Sequence, residues 1–262
     1  MTMTPEERAV DLTDHAATAL IRARSMVGIA AEDSAELGKL LIRSENDIDE
    51  LTGHAAKVRE IVEVEPETFL RYASEVGDDI NKRLQGARTQ VEEIGDYLNR
   101  AGLAVREGRD ALEELGQLPQ GQTDEVNELY QRLGGLQGAV VAAQDQLTEV
   151  DSRLVRAQSE LETLRAPVTQ ASRGAAEALI TDTHRDVSEQ AQAGRRTLGD
   201  MAERLEDSTS QFSAAAARGE DLARTAQAAM NPTPVDQQVE PGSADKLASR
   251  LSGESQDNSL ER

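Results

Sequence analysis

Residues 126–178 read VNELYQRLGGLQGAVVAAQDQLTEVDSRLVRAQSELETLRAPVTQASRGAAEA. Val126, Leu129, Leu133, Leu136, Val140, Ala143, Leu147, Val150, Leu154, Ala157, Leu161, Leu164, Val168, Ala171, Ala175 and Ala178 fall at alternating intervals of three and four. That is the a/d spacing of helices packed along a seam. It predicts architecture and carries no chemistry. Within it, Leu129, Leu133, Leu136, Leu147, Leu154, Leu161 and Leu164 are the candidate helix-seam interaction residues. Ala143, Ala157, Ala171, Ala175 and Ala178 put little between facing backbones, so the bundle is expected to narrow toward the alanine end.

Pro167 interrupts this rhythm without shifting it. An interior proline removes a backbone hydrogen bond and bends a helix, which predicts a kink or turn near 165–167. Past Ala178 the register would place Asp182, Arg185 and Glu189 in the seam. The apolar pattern instead resumes two residues out of step at Ile180, His184, Val187 and Ala191, and runs on through Leu198, Met201, Leu205 and Phe212 to Ala229. Gly194, Ser208 and Gly219 interrupt it. A turn is therefore expected at Pro167 or in the apolar-poor stretch 181–186.

Upstream, 118–123 combines Pro119, Gly121 and a capping residue, Thr123, and reads as a connection. Before it a second seam runs from Phe69 through Ala73, Val76, Ile80, Leu84, Ala87, Val91, Ile94, Leu98, Ala101, Val105 and Leu112 to Leu115. Its consecutive four-residue steps at Val76, Ile80 and Leu84 predict a stutter that locally unwinds the supercoil. Pro66 suits the first turn of that helix and disfavours helical geometry at Glu65, so a hairpin is expected at 63–66, with a kink as the alternative. The first helix opens with Thr4, Pro5 and Glu7, a capping box with proline at the first position. Its seam passes through Leu12, Ala16, Leu20, Ala23, Val27, Ala30, Leu37, Leu41 and Ile48 toward Val62, with Ser34 and Ser44 in seam positions.

Composition agrees with long helices. Aromatic residues are 2 % of 262 and Trp is absent, whereas a thick globular core leans on large aromatic side chains. The formal charge of −21 argues against nonspecific binding of nucleic acid or anionic lipid, both polyanions. A chain without cysteine has no disulfide, thiolate nucleophile or zinc–thiolate site. No stretch is apolar for long enough to cross a bilayer, and the first ten residues lack the pattern of a secretory signal. Cytoplasmic residence is the expectation, with non-classical export as the alternative.

Motifs for chemistry are absent from the sequence. His15, His54 and His184 occur in neither a His-Glu-x-x-His nor a Glu-x-x-His pattern, so no metal or other cofactor is expected. Carboxylate pairs such as Glu92 with Asp96 are abundant enough to arise by chance, and a thin bundle offers little room to drive their pKa values apart. Gly134, Gly135 and Gly138 match no phosphate-binding pattern and are expected to allow close helix approach or bending. From residue 231 onward Pro, Gly, Ser and acidic residues dominate, a composition unable to bury enough surface to fold alone. Within this tail Ala244, Leu247 and Leu251 recur at helical spacing, which makes Leu247 and Leu251 candidate docking residues.

Two short resemblances accompany this reading. The run Asp124-Glu125-Val126-Asn127-Glu128-Leu129 resembles one in the polar-growth scaffolds of the DivIVA family. There it lies in an N-terminal lipid-binding domain; here it stands in mid-chain without aromatic and basic neighbours, and membrane tethering is not carried over. The acidic, alanine-rich, cysteine-free composition is similar to that of the helical-hairpin substrates of type VII secretion. Their Trp-x-Gly turn is missing, and Tyr72, Tyr97 and Tyr130 are followed four residues later by Val76, Ala101 and Gly134 in place of the acid of the export signal.

The expected fold is all-α: an elongated antiparallel helical bundle or coiled coil of three to four long helices with a disordered C-terminal tail. Residues 1–118 form a pair of long helices, 119–230 further long helices with a kink or turn near 165–186, and 231–262 the acidic tail. The expected function is a non-enzymatic coiled-coil scaffold or adaptor acting through helix–helix association, self-association included. The alternative is an acidic binding module (a chaperone, an inhibitor or a secretion-system accessory) that covers a basic protein partner. Protein partners are expected, without nucleic acid and without membrane insertion.

Overall fold

Three of the four long helices begin where the sequence supplies a start signal. The Thr4 hydroxyl accepts from the Glu7 amide at 3.2 Å, while the Glu7 carboxylate accepts from the Thr4 amide at 2.8 Å. This reciprocal box satisfies two otherwise orphaned donors. It opens α1, Pro5–Glu60. Pro66 is the first residue of α2, Pro66–Gly116. A single 3-10 turn, Pro119–Gly121, then leads to Thr123, whose hydroxyl accepts from the Val126 amide at 3.2 Å and caps α3, Asp124–Thr163. Asp124 and Glu125 in the first turn of α3 complement the helix dipole. Gly121 is required in the turn, because a Cβ there would overlap the Leu115 carbonyl. The last helix, α4, spans Arg173–Met230. The computed structural model describes residues 3–60, 66–164 and 173–230.

Inter-helix pairs give the directions. Arg8 with Glu114, Arg22 with Glu107 and Asp47 with Arg83 show α1 and α2 antiparallel. Asn81 with Gln158 and Asn99 with Gln144 do the same for α2 and α3. Glu45 with Arg195 and Asp49 with His184 align α1 against α4, and Arg218 with Glu125 and Thr163 with Thr183 align α3 against α4. Each helix packs on two neighbours, in the order α1, α2, α3, α4 and back to α1, with only slight contact across the diagonals. The result is an up-down-up-down four-helix bundle. At about 1.5 Å per residue, the 58 residues of α4 extend roughly 87 Å.

The core is one continuous column supplied by all four seams. Every α3 position from Val126 to Leu164 in the predicted series is buried. In α1, Leu12, Ala16, Leu20, Ala23, Val27, Ala30, Leu37, Leu41 and Ile48 are buried, joined by Ser34 and Ser44. Buried hydroxyls are satisfied within their own helices: Ser34 donates to the Ala30 carbonyl at 2.5 Å, Ser44 to Leu40 at 3.1 Å and Ser208 to Arg204 at 2.7 Å. Seam serines thus enter an apolar column without an unpaired donor.

Several expectations need correction. The α2 stutter does not occur there, because Gly77 and not Val76 occupies the seam, restoring unbroken three-and-four spacing from Ala73 through Ile80. Glycine has no side chain to register in an apolar count; the Leu164 side chain fills its place, 3.3 Å from where a Cβ would stand. A stutter falls instead in α4, where buried Thr183, Val187 and Ala191 follow at two consecutive four-residue steps. His184, expected in the seam, is half-buried beside it.

The long seam does not continue through Ala175 and Ala178, which are exposed; Ala176 and Ile180 face the core in their stead. The out-of-step register therefore begins with α4 itself, and 181–186 is helical, not a turn. Ala175 and Ala178, on the outer face, do not set the spacing of facing backbones. Close approach occurs at the opposite end, where Ala17 lies 3.2 Å from the position a Cβ on Gly219 would take. Gly134, Gly135 and Gly138 mediate no close approach, since nothing lies within 4 Å of a Cβ added to any of them. Pro167, Val168, Ala171, Val62 and the tail with Leu247 and Leu251 lie outside the described residues, as do the side chains of Leu51, Ala55, Val58 and Phe69.

Candidate functional site

The seven seam leucines, Leu129, Leu133, Leu136, Leu147, Leu154, Leu161 and Leu164, are each at most 5 % exposed. Their partners are the seams of α2 and α4 in the same chain, such as Gly108 against Leu133 and Gly95 against Leu147. They hold the bundle together and are not presented to a second molecule. Surfaces for recognition must be sought on the outside and at the ends.

The outside of the α2/α3 edge is laced by uncharged and charged polar pairs. Gln144 donates to Asn99 at 2.7 Å and Gln158 to Asn81 at 3.0 Å. Arg88 donates to Asp151 at 2.8 Å. Arg109 reaches from α2 to α3, donating to Gln137 at 2.8 Å and to the Tyr130 hydroxyl at 3.0 Å, with its guanidinium 4.7 Å from the Tyr130 ring centre. Beside this lacing lies an open groove of about 260 Å³ bordered by Asn99, Gly102, Leu103, Arg106, Val141 and Gln144. Leu103 is 57 % exposed and Val141 45 %, two apolar side chains of neighbouring helices in one groove. Both lie off the seam register, and an apolar residue on a helix's polar face is the sequence signal that marks them.

A second concavity of about 210 Å³ opens at the end of the bundle that gathers the start of α1, the α2–α3 turn and the end of α4. Ala9, Leu115, Val126, Leu222 and Met230 give it apolar walls. Glu6 and Glu125 stand at its edge. Ala229, expected in the α4 seam, is exposed, and Leu222 is half-buried because its neighbour Ala223 holds the core position.

The histidines do not converge. His15 is exposed, and His184 Nε2 lies 3.2 Å from Asp49 Oδ1 across the α1/α4 edge. The His54 side chain lies outside the described set. Among the described residues no group of three His, Asp or Glu side chains is placed to hold a metal ion, and no helix is long and apolar enough to cross a membrane.

Three solvated ion pairs shift the ionisation of a member. The Glu36 carboxyl is held below its ordinary value by a hydrogen bond from Lys39 and then by that residue's charge. Lys82 is raised by its hydrogen bond to Asp79, then by the carboxylate charge, and Arg185 is raised in the same way by Asp186. These are surface ion pairs of neighbouring turns and lie apart from both concavities. Comparison with protein-family models, curated proteins and solved structures finds no match to this chain.

Proposed function

We propose that this protein is a non-enzymatic scaffold or adaptor: a long helical rod that holds protein partners at a set spacing. The observation that carries the reading is the closure of the bundle. All four seams are consumed within one chain, so the rod has its full length as a single molecule and its outer faces remain for recognition. The roughly 87 Å length of α4 sets the scale over which partners would be held apart. Recruitment is assigned to the outer helix faces and to residues 231–262, not to the seam leucines.

Truncation after Met230 tests this assignment in the organism that makes the protein. The reading expects the truncated rod to keep its helicity and to lose its biological role. Full function from the truncated rod would remove the tail from the account.

The alternative, an acidic module that covers a basic partner, is favoured by the charge of −21. Binding of such a partner should weaken steeply with added salt, because exposed charges separated by more than about 10 Å are screened at 0.1 M. An affinity insensitive to salt would favour the scaffold reading over the charge-driven module.

A further inference from the structure

We propose that the end concavity is the docking site of the chain's own segment 244–251, with Leu247 and Leu251 entering it. Met230, the last residue of α4, is itself part of the wall, so the tail leaves the bundle at the cavity mouth. Thirteen residues, 231–243, separate it from the segment. A random-coil chain of that length would have a root-mean-square span of about 20 Å, enough to return to its own starting point, and would give an effective concentration on the millimolar scale.

Shape and charge select this segment. Wound as a helix, it sets Ala244, Leu247 and Leu251 on one face with Arg250 at its flank, while Asp245 and Lys246 both lie toward the far side. The cavity offers the complement: apolar walls from Ala9, Leu115, Val126 and Leu222, and carboxylates at the edge from Glu6 and Glu125. The tail's three basic residues are Lys246, Arg250 and Arg262, and Arg250 is the one that flanks the leucines where they meet the acidic edge. A volume of about 210 Å³ is sufficient for aliphatic side chains, since apolar cavities of roughly 150 Å³ take up a benzene-sized group. The α2/α3 groove is a poorer match, for its charged residue is Arg106, which repels Lys246 and Arg250. Docking caps the open end of the hydrophobic column, and it withdraws the tail from other partners. It stands independently of what the tail recruits.

The chain has no cysteine, so Ser252→Cys places one spin label next to the segment in the full-length protein. The expected result is selective NMR broadening of amides at Ala9, Val126 and Ala226, with Ile80 and Ile180 unaffected, unchanged on dilution with excess unlabelled chain. Leu247→Glu with Leu251→Glu should lower the docked-to-free ratio at least about tenfold. Glu6→Lys with Glu125→Lys should lower it by a smaller factor, and added salt should reduce the effect of the native carboxylates. Broadening spread evenly along the helices, or unchanged by the leucine substitutions, would overturn the proposal. So would broadening that disappears on dilution, which would make a second copy the occupant.

Discussion

The α1/α4 and α2/α3 edges use small residues differently. Along α1/α4, glycine meets backbone at Gly219, where a Cβ would stand 3.2 Å from the Ala17 Cα and 3.3 Å from a Leu20 methyl, while Gly28 and Gly194 meet side-chain ends at 4.0 and 3.8 Å. Along α2/α3, glycine meets the tips of flexible side chains, with Leu147 at 3.5 Å from Gly95 and Val140 at 3.7 Å from Gly102. At Gly219 the first edge is set by main-chain proximity and has no slack. The second is bridged by long polar side chains and leaves a groove beside Leu103 and Val141. The same residue type is therefore a structural necessity on one side and a tolerated cost in helix stability on the other.

The largest expected effect strikes the tight edge. Gly219→Leu should destabilise the bundle by roughly 1–3 kcal/mol in chemical denaturation, because the new side chain meets the α1 backbone and cannot rotate away. A neutral outcome would mean that α1 and α4 lie further apart than described. Next comes the bridged edge, where Arg109→Met should cost about 1–2 kcal/mol through loss of two hydrogen bonds and the contact over Tyr130. An unchanged denaturation midpoint would reduce the polar lacing to decoration.

Smaller and opposite in sign, Gly135→Ala should stabilise by roughly 0.5–1 kcal/mol, since open space surrounds the added methyl and only helix propensity changes. A loss of stability would place an unrecognised packing contact on the outer face of α3. Smallest of all is Glu36→Gln. Its folded carboxyl titrates below the ordinary value, so any contribution is present above the unfolded pKa and is lost as pH falls through the lower folded one. The pair is solvated, and the thermal midpoint at neutral pH should not move measurably.

Helix identity and most of the core were legible because apolar residues recur at three and four, above all from Val126 to Leu164. Polar seam positions were legible too where their neighbours held register, as with Ser34, Ser44 and Ser208. Misreadings came where a small or polar residue holds a core position beside an apolar one that does not. Val76 outranks Gly77 in hydrophobicity, yet Leu164 from another helix supplies the missing volume. Thr183, bonded to Thr163 at 3.2 Å, takes the core place that periodicity gave to His184. Ala175 and Ala178 kept the rhythm of α3 by coincidence, and alanine is small enough to carry no strong preference for either face. The end concavity was invisible to periodicity, because it arises from the order in which four helix ends meet.

The central claim is that the four seams close on one another within one chain. Light scattering with circular dichroism over a wide concentration range tests it directly. Closure predicts one elongated, helical species of 28.3 kDa whose thermal midpoint does not vary with concentration. A mass at multiples of that value, with a midpoint that rises with concentration, would show seams shared between chains and contradict the account.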